Sequence, residues 1–255
     1  MWLFATLVMV YTCIAASYRY DAQNLYAFDI NLNTAAGAYF LNEEDIRNYL
    51  NELKITPGKT QMNKIYLAQL ERMIESNGYV RSAEVYIDAL STLHVSVQQR
   101  NPVLRIMNSN NVSYYVDESA SKMPLHPKFT ARVLVAGGHI SANDRQTDTL
   151  GQKQLNDLVF LTNEILRDDF FARMIEQIWV DENQEIHLVP MIAQQDILLG
   201  NAQQIDSKLQ NLKAFYLNAN PGLLNNYSII NLKFNNQVIA TKRNSSTQNI
   251  NNTQH

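Results

Sequence analysis

Gln69 to Ile106 reads QLERMIESNGYVRSAEVYIDALSTLHVSVQQRNPVLRI, and the fold is decided in this stretch. Its front closes an amphipathic helix, about Met62 to Ser76, with Ile65, Leu67, Leu70, Met73 and Ile74 on the buried side. Asn77-Gly78 ends that helix, and Gly78 suits a left-handed cap. Two strands follow. Val80 to Ile87 presents Val85 and Ile87 on one face, and Leu93, Val95 and Val97 alternate in the second. The Asp88 to Thr92 link is hairpin-sized, and Arg100-Asn101-Pro102 breaks the pattern at a domain boundary.

Upstream, Asn24 to Asn33 alternates and predicts a strand whose buried set is Tyr26, Phe28, Ile30 and Leu32. Asn42 precedes an acidic first turn and an apolar face of Ile46, Tyr49, Leu50 and Leu53, the pattern of a capped helix. Thr56-Pro57-Gly58-Lys59 is a break. The order is strand, helix, helix, strand, strand, which buries its apolar faces when the helix pair packs on a three-stranded sheet.

Downstream, Val103 to Met107 and Val112 to Val116 flank a turn-rich Asn108 to Asn111, and Pro124 and Pro127 mark an irregular surface segment. Arg132 to Ala136 reads as a short strand, Gln152 to Arg167 as a helix, and Ile175 to Val180 with Glu185 to Val189 as a strand pair. A helix near Ile205 to Leu217 is closed off by Pro221-Gly222. Ile229 to Thr241 is a final hairpin turning at Asn235-Asn236, because Asn tolerates positive φ. The Asn-, Ser-, Thr- and Gln-rich tail, residues 244–255, has the composition of a disordered segment.

Trp2 to Ala16 carries no charge, and with Tyr18 the run reaches the short end of a membrane span. Trp2, Leu3, Phe4, Leu7, Val8, Val10 and Ile14 would face lipid in an uncleaved anchor. The competing reading is a signal peptide cut after Ala15 or Ala16, but either register puts a bulky or unusual residue, Cys13 or Ile14, at the outer position. The reading is therefore an anchor over residues 1–20, a first domain over 21–101 and a second over 102–243.

Across 255 residues the net charge is -3 without a basic stripe, which argues against nucleic-acid binding. A single cysteine, Cys13, rules out an intramolecular disulfide and a Cys-based zinc site. The five histidines, His94, His126, His139, His187 and His255, lack metal-site spacing, and the adjacent acids Asp117-Glu118 and Asp168-Asp169 point their side chains apart. GxSxG, P-loop and GxGxxG motifs are absent. The reading is non-enzymatic, with no cofactor, metal or small-molecule substrate. An exported enzyme, or a secreted binding module with a cleaved signal peptide, is the competing class.

Asn77, Val80, Ala83 and Val85, then Thr92, Leu93, Val95, Val97, Arg100 and Pro102, resemble the paired strand motifs of the FtsQ/DivIB cell-division proteins. Tyr114 to Leu125 (YYVDESASKMPL) is similar to the family's following motif, with Ala120 where Gly is usual. Ile229 to Arg243 resembles the family's C-terminal strand, with Asn231 in place of an acid. The resemblance implies an α+β protein: a single transmembrane helix, a βααββ POTRA-like domain, then a mainly antiparallel β domain with helices. It implies residence in the bacterial inner membrane, single-pass, with the bulk of the chain periplasmic. It also implies a septum-forming scaffold that recruits the bitopic FtsB and FtsL proteins by strand addition along the region of Phe234 to Lys242. The residues expected to meet the partner are Lys233, Phe234, Asn236, Val238, Ala240 and Lys242.

Overall fold

The computed structural model describes residues 2–21, 23–34, 40–140, 149–191 and 194–243. The expected disordered tail, residues 244–255, lies outside them. The chain folds as two compact units: Met1–Asn101 with His126–Phe129, and Pro102–Leu125 with Thr130–His255.

In the first unit the apolar N-terminal run forms one helix, α1 (Trp2–Asp21). Trp2, Phe4, Leu7, Val8, Val10 and Tyr11 are exposed along it, while the side chains of Leu3 and Ile14 lie outside what is described. Among the described residues no helix is long and apolar enough to cross a membrane. Strand β1 (Ala27–Asn33) is followed by α2 (Glu43–Glu52), a 3-10 turn at Met62–Lys64, α3 (Leu67–Glu75), β2 (Val80–Ile87) and β3 (Thr92–Gln99). The sheet order is β1-β3-β2, with β1 parallel and β2 antiparallel to β3. Asn42 and Asp45 cap α2 reciprocally, each side chain accepting from the other's backbone N–H. Leu50, Leu70, Ile74, Val85, Leu93, Val95 and Val97 form the core between helices and sheet. Buried Gln99 ties the chain before α2 to the end of β3. Its Oε1 accepts from the backbone N–H groups of Phe40 (3.1 Å) and Leu41 (2.9 Å), and its Nε2 donates to Leu41 O (2.9 Å).

Three sequence expectations change here. Tyr26 is 77% exposed and Leu25 is buried instead, because the strand begins only at Ala27. Before that point Leu25 N–H donates to Thr60 O and Leu25 O accepts from Gly58 N–H, which turns the Leu25 side chain inward. The helix expected from Met62 breaks at Ile65-Tyr66 and restarts at Leu67. Gly78 does not adopt positive φ; Val80 N–H instead closes a turn on Asn77 O (2.9 Å).

The second unit runs β4 (Pro102–Asn108), β5 (Ser113–Asp117), β6 (Lys122–Met123), β7 (Leu134–Gly138), α4 (Thr149–Arg167), α5 (Asp169–Met174), β8 (Ile175–Val180), β9 (Ile186–Pro190), β10 (Asp196–Gly200), α6 (Ile205–Asn218), α7 (Pro221–Leu224), β11 (Tyr227–Asn231) and β12 (Ile239–Lys242). The strands form a nine-stranded sheet ordered β12-β11-β10-β9-β8-β7-β4-β5-β6. Leu155, Leu158, Leu161 and Ile165 of α4 and Leu209 and Leu212 of α6 share one core with Leu104, Ile106, Ile178, Leu188, Ile197 and Ile230 of the strands. The sheet is more mixed than expected, because β10–β11, β4–β7 and β7–β8 are parallel pairs. Pro221 opens α7 behind the Asn220 cap rather than simply ending α6.

Candidate protein-docking edge

The sheet of the second unit ends at β12, which pairs antiparallel with β11 and, among the described residues, with no strand on its other side. The direction of its open backbone groups follows from one bond. Leu232 N–H donates to Leu198 O of the β10 segment at 2.9 Å. Backbone groups alternate sides along a strand, so Ile230 and Leu232 face β10, while Ile229 and Asn231 face β12. Their register partners Thr241 and Ile239 therefore turn inward. Ala240 and Lys242 direct their N–H and C=O outward, away from the sheet. A bulge between Tyr227 and Ile229 extends the pairing, and Arg243 N–H donates to Asn226 O.

Side chains sort the other way. Ala240 stands opposite buried Ile230, on the face that the helices cover. Ile239 and Thr241 stand opposite Asn231 and Ile229 on the other face, where Ile239 is 43% and Ile229 38% exposed.

The other expected partner residues lie in the connection before β12. Phe234 is half exposed, Asn236 takes φ of 57° at the turn, and Val238 packs partly against the core. Asn accepts that left-handed conformation at low strain. Lys233 is engaged within the chain: its Nζ pairs with Glu185 Oε1, and its stem lies over Gly200. Lys242 is exposed. Sequence reasoning placed the hairpin but did not find β10, the strand that makes β11 internal and leaves β12 outermost.

Other polar groups pair within the chain. Asp168 caps α5, accepting from Phe170 N–H at 2.9 Å, and pairs with Lys213 Nζ at 2.6 Å. That lysine holds its carboxyl below the usual value. Asp169 beside it points to solvent, so the neighbouring carboxylates do not converge. His187 Nδ1 lies 2.8 Å from Asp196 Oδ1, while its buried Nε2 has no hydrogen-bond partner among the described residues. Among the described residues no group of His, Cys, Asp and Glu could hold a metal ion.

A family model described as FtsQ/DivIB, C-terminal related, matches residues 101–241, more than half of the chain. The chain belongs to the FtsQ/DivIB-related cell-division family. A POTRA-like domain model matches residues 26–98, the span holding β1, α2, α3, β2 and most of β3. No curated protein matches the chain.

Proposed function

We propose that this FtsQ/DivIB-related protein is a non-enzymatic scaffold of the division machinery that recruits FtsB/FtsL-like bitopic proteins by strand addition to β12. The observation that carries this reading is the outward direction of the Ala240 and Lys242 backbone groups at the end of the sheet. An exposed edge is a template for another chain, and its main-chain bonds set the register of the added strand. Lys242, exposed and beside Arg243, adds positive charge to this edge and favours an acidic partner segment.

Anchoring belongs to the same proposal. The helix α1 carries exposed Trp2, Phe4, Leu7, Val8 and Val10 and no charge before Arg19, a surface that favours a bilayer over water. Holding scaffold and bitopic partner in one inner membrane, with both bulk domains periplasmic, raises their effective concentration without new contacts.

The test is proline at the outward position. Ala240→Pro removes a donor that β11 does not use, so the incoming strand loses a bond and meets the ring; its added bulk lies on the covered face, and Ala240→Ile, which keeps the donor, is the packing control. Co-purification with the FtsB/FtsL-like proteins should fall at least about tenfold relative to Ala240→Ile, a change of roughly 1.4 kcal/mol. Undiminished recovery of the partners rejects the site. Carbonate extraction of membranes tests the anchor, and release of the chain into the supernatant rejects it.

A further inference from the structure

The three-stranded sheet of the first unit also has two outer strands, and their edges are not equivalent. On β2 two of the outward N–H groups are occupied. Ala83 N–H donates to Glu75 Oε1 at 3.1 Å and Val85 N–H to Glu71 Oε1 at 2.9 Å. Both glutamates lie in α3, one turn apart, so the helix lays a row of carboxylates along the β2 edge. A strand approaching β2 would have to displace two charge-assisted hydrogen bonds, the stronger kind.

The β1 edge is open. Because Ala83 and Val85 face away from β3, Glu84 and Tyr86 face it, and their register partners Ser96 and His94 face β2, as Thr92 does when its carbonyl accepts from Asp88 N–H. Leu93, Val95 and Val97 therefore face β1, and in a parallel ladder their bonds go to the neighbours of the residues opposite them, so Ala27, Asp29 and Asn31 bond toward β3 while Phe28, Ile30 and Leu32 present their N–H and C=O outward. Among the described residues no strand pairs with that side. The side chains of Phe28, Ile30 and Leu32 are only partly buried against the core, leaving apolar surface for a further strand to cover. On the opposite face Asp29 is largely exposed, and Glu84 and Asp88 stand on the same side of the sheet, with the His94 ring between Asp29 and Asp88 and outnumbered by the three carboxylates.

We infer that β1 is a second strand-accepting edge, selective for an extended, basic polypeptide segment from another protein, and that Glu71 and Glu75 close β2 to the same mode of binding. The partner's apolar side chains, at alternate positions, would cover Phe28, Ile30 and Leu32, and its Lys or Arg side chains would meet the acidic face around Asp29. A second copy of this chain fits less well, because antiparallel β1–β1 pairing about Ile30 sets two Asp29 carboxylates diagonal across the join. The inference is independent of β12.

The probe is a short synthetic peptide alternating valine with threonine and lysine, added to the full-length chain. Residue-resolved amide hydrogen exchange is the readout. Protection should appear at Ile30 and Leu32 and not at Ala83 and Val85, and a glutamate-for-lysine peptide should bind at least about tenfold more weakly. Asn31→Lys, which places a positive charge on the exposed face beside Asp29, should weaken binding of the lysine peptide about tenfold without lowering the melting temperature. The double variant Glu71→Ala, Glu75→Ala should gain protection at Ala83 and Val85. Glu71→Gln, Glu75→Gln keeps an acceptor oxygen and should stay closed. Protection confined to β2 or β12, unchanged affinity in Asn31→Lys, or self-association of the free chain through β1 overturns the inference.

Discussion

His94 Nε2 lies 3.0 Å from Asp88 Oδ2, an approach that fastens the middle strand of the first unit to the turn leading into it. The other ring nitrogen, Nδ1, lies 2.8 Å from Asp29 Oδ2 on β1. An imidazole facing carboxylates at both nitrogens is satisfied only when both nitrogens carry protons. Tyr86 on β2 stacks on the ring at 4.7 Å and favours the cation further. The small sheet is thus pinned across all three strands by one charged side chain.

This arrangement gives a pH window. Asp88 raises the pKa of His94 above 6.5, and His94 in turn lowers that of Asp88 below 3.8. The histidine's contribution is complete below its unfolded value near 6.5 and is lost as pH rises through the raised folded value. The aspartate's is complete above 3.8 and is lost as pH falls through the lowered one. The first unit should melt highest between these limits, and His94→Gln should flatten the profile. Thermal melts across pH check this, and an identical profile in His94→Gln would remove the clamp from the account.

Gly138 is the position least able to accept a side chain. It takes φ of 99°, and an added Cβ would stand 2.1 Å from Val180 O in the adjacent strand. Backbone cannot yield as a side-chain tip can, so the β7–β8 join must shift. Gly138→Ala should destabilise the second unit by about 2 kcal/mol or more, read as a lower denaturant midpoint. Gly58→Ala, with open space around its Cβ, should cost about 1 kcal/mol through its positive φ alone.

Asp168 joins α4, α5 and α6 by capping α5 and pairing with Lys213. Asp168→Ala should lower the denaturation midpoint through the lost cap. Because Lys213 holds the pKa of Asp168 down, this contribution is present above 3.8 and is lost as pH falls through the lowered value. The wild-type and variant denaturation midpoints should therefore converge in acid.

Much of this architecture was legible because apolar residues recur at two spacings. Val85, Leu93, Val95 and Val97 alternate as a strand face must, and Leu155, Leu158, Val159, Thr162 and Ile165 recur as a helix face must, although Leu166 of the same pattern is exposed. The failures occur where tertiary bonds override local pattern. Leu25 rather than Tyr26 turns inward because the Thr60 loop captures its backbone. β10 is five residues long, DILLG, and nothing local separates it from a loop; it is a strand because β9 and β11 flank it. At the docking edge the hairpin was readable, but which backbone groups remain open was not. That depends on the Leu232–Leu198 bond, between residues far apart in sequence. Lys233 reads as a free charge only until Glu185 folds against it.

The same geometry separates stability from recognition along β12. Ala240 points its methyl group at buried Ile230, so a larger side chain there must push into the covered core. Ala240→Ile should destabilise the second unit by about 1–3 kcal/mol through overpacking. Ile239, the next residue, points to the open face beside Asn231 and is already 43% exposed. Ile239→Thr removes apolar surface that only an added strand would bury fully, so stability should change by less than about 1 kcal/mol. Recovery of FtsB/FtsL-like proteins should nevertheless fall several-fold, because cross-strand neighbours supply the specificity of strand addition. Measuring melting temperature and partner recovery on both variants distinguishes the two roles. If Ile239→Thr leaves recovery intact while Ala240→Pro abolishes it, the edge binds through its backbone alone and its side chains do not select the partner.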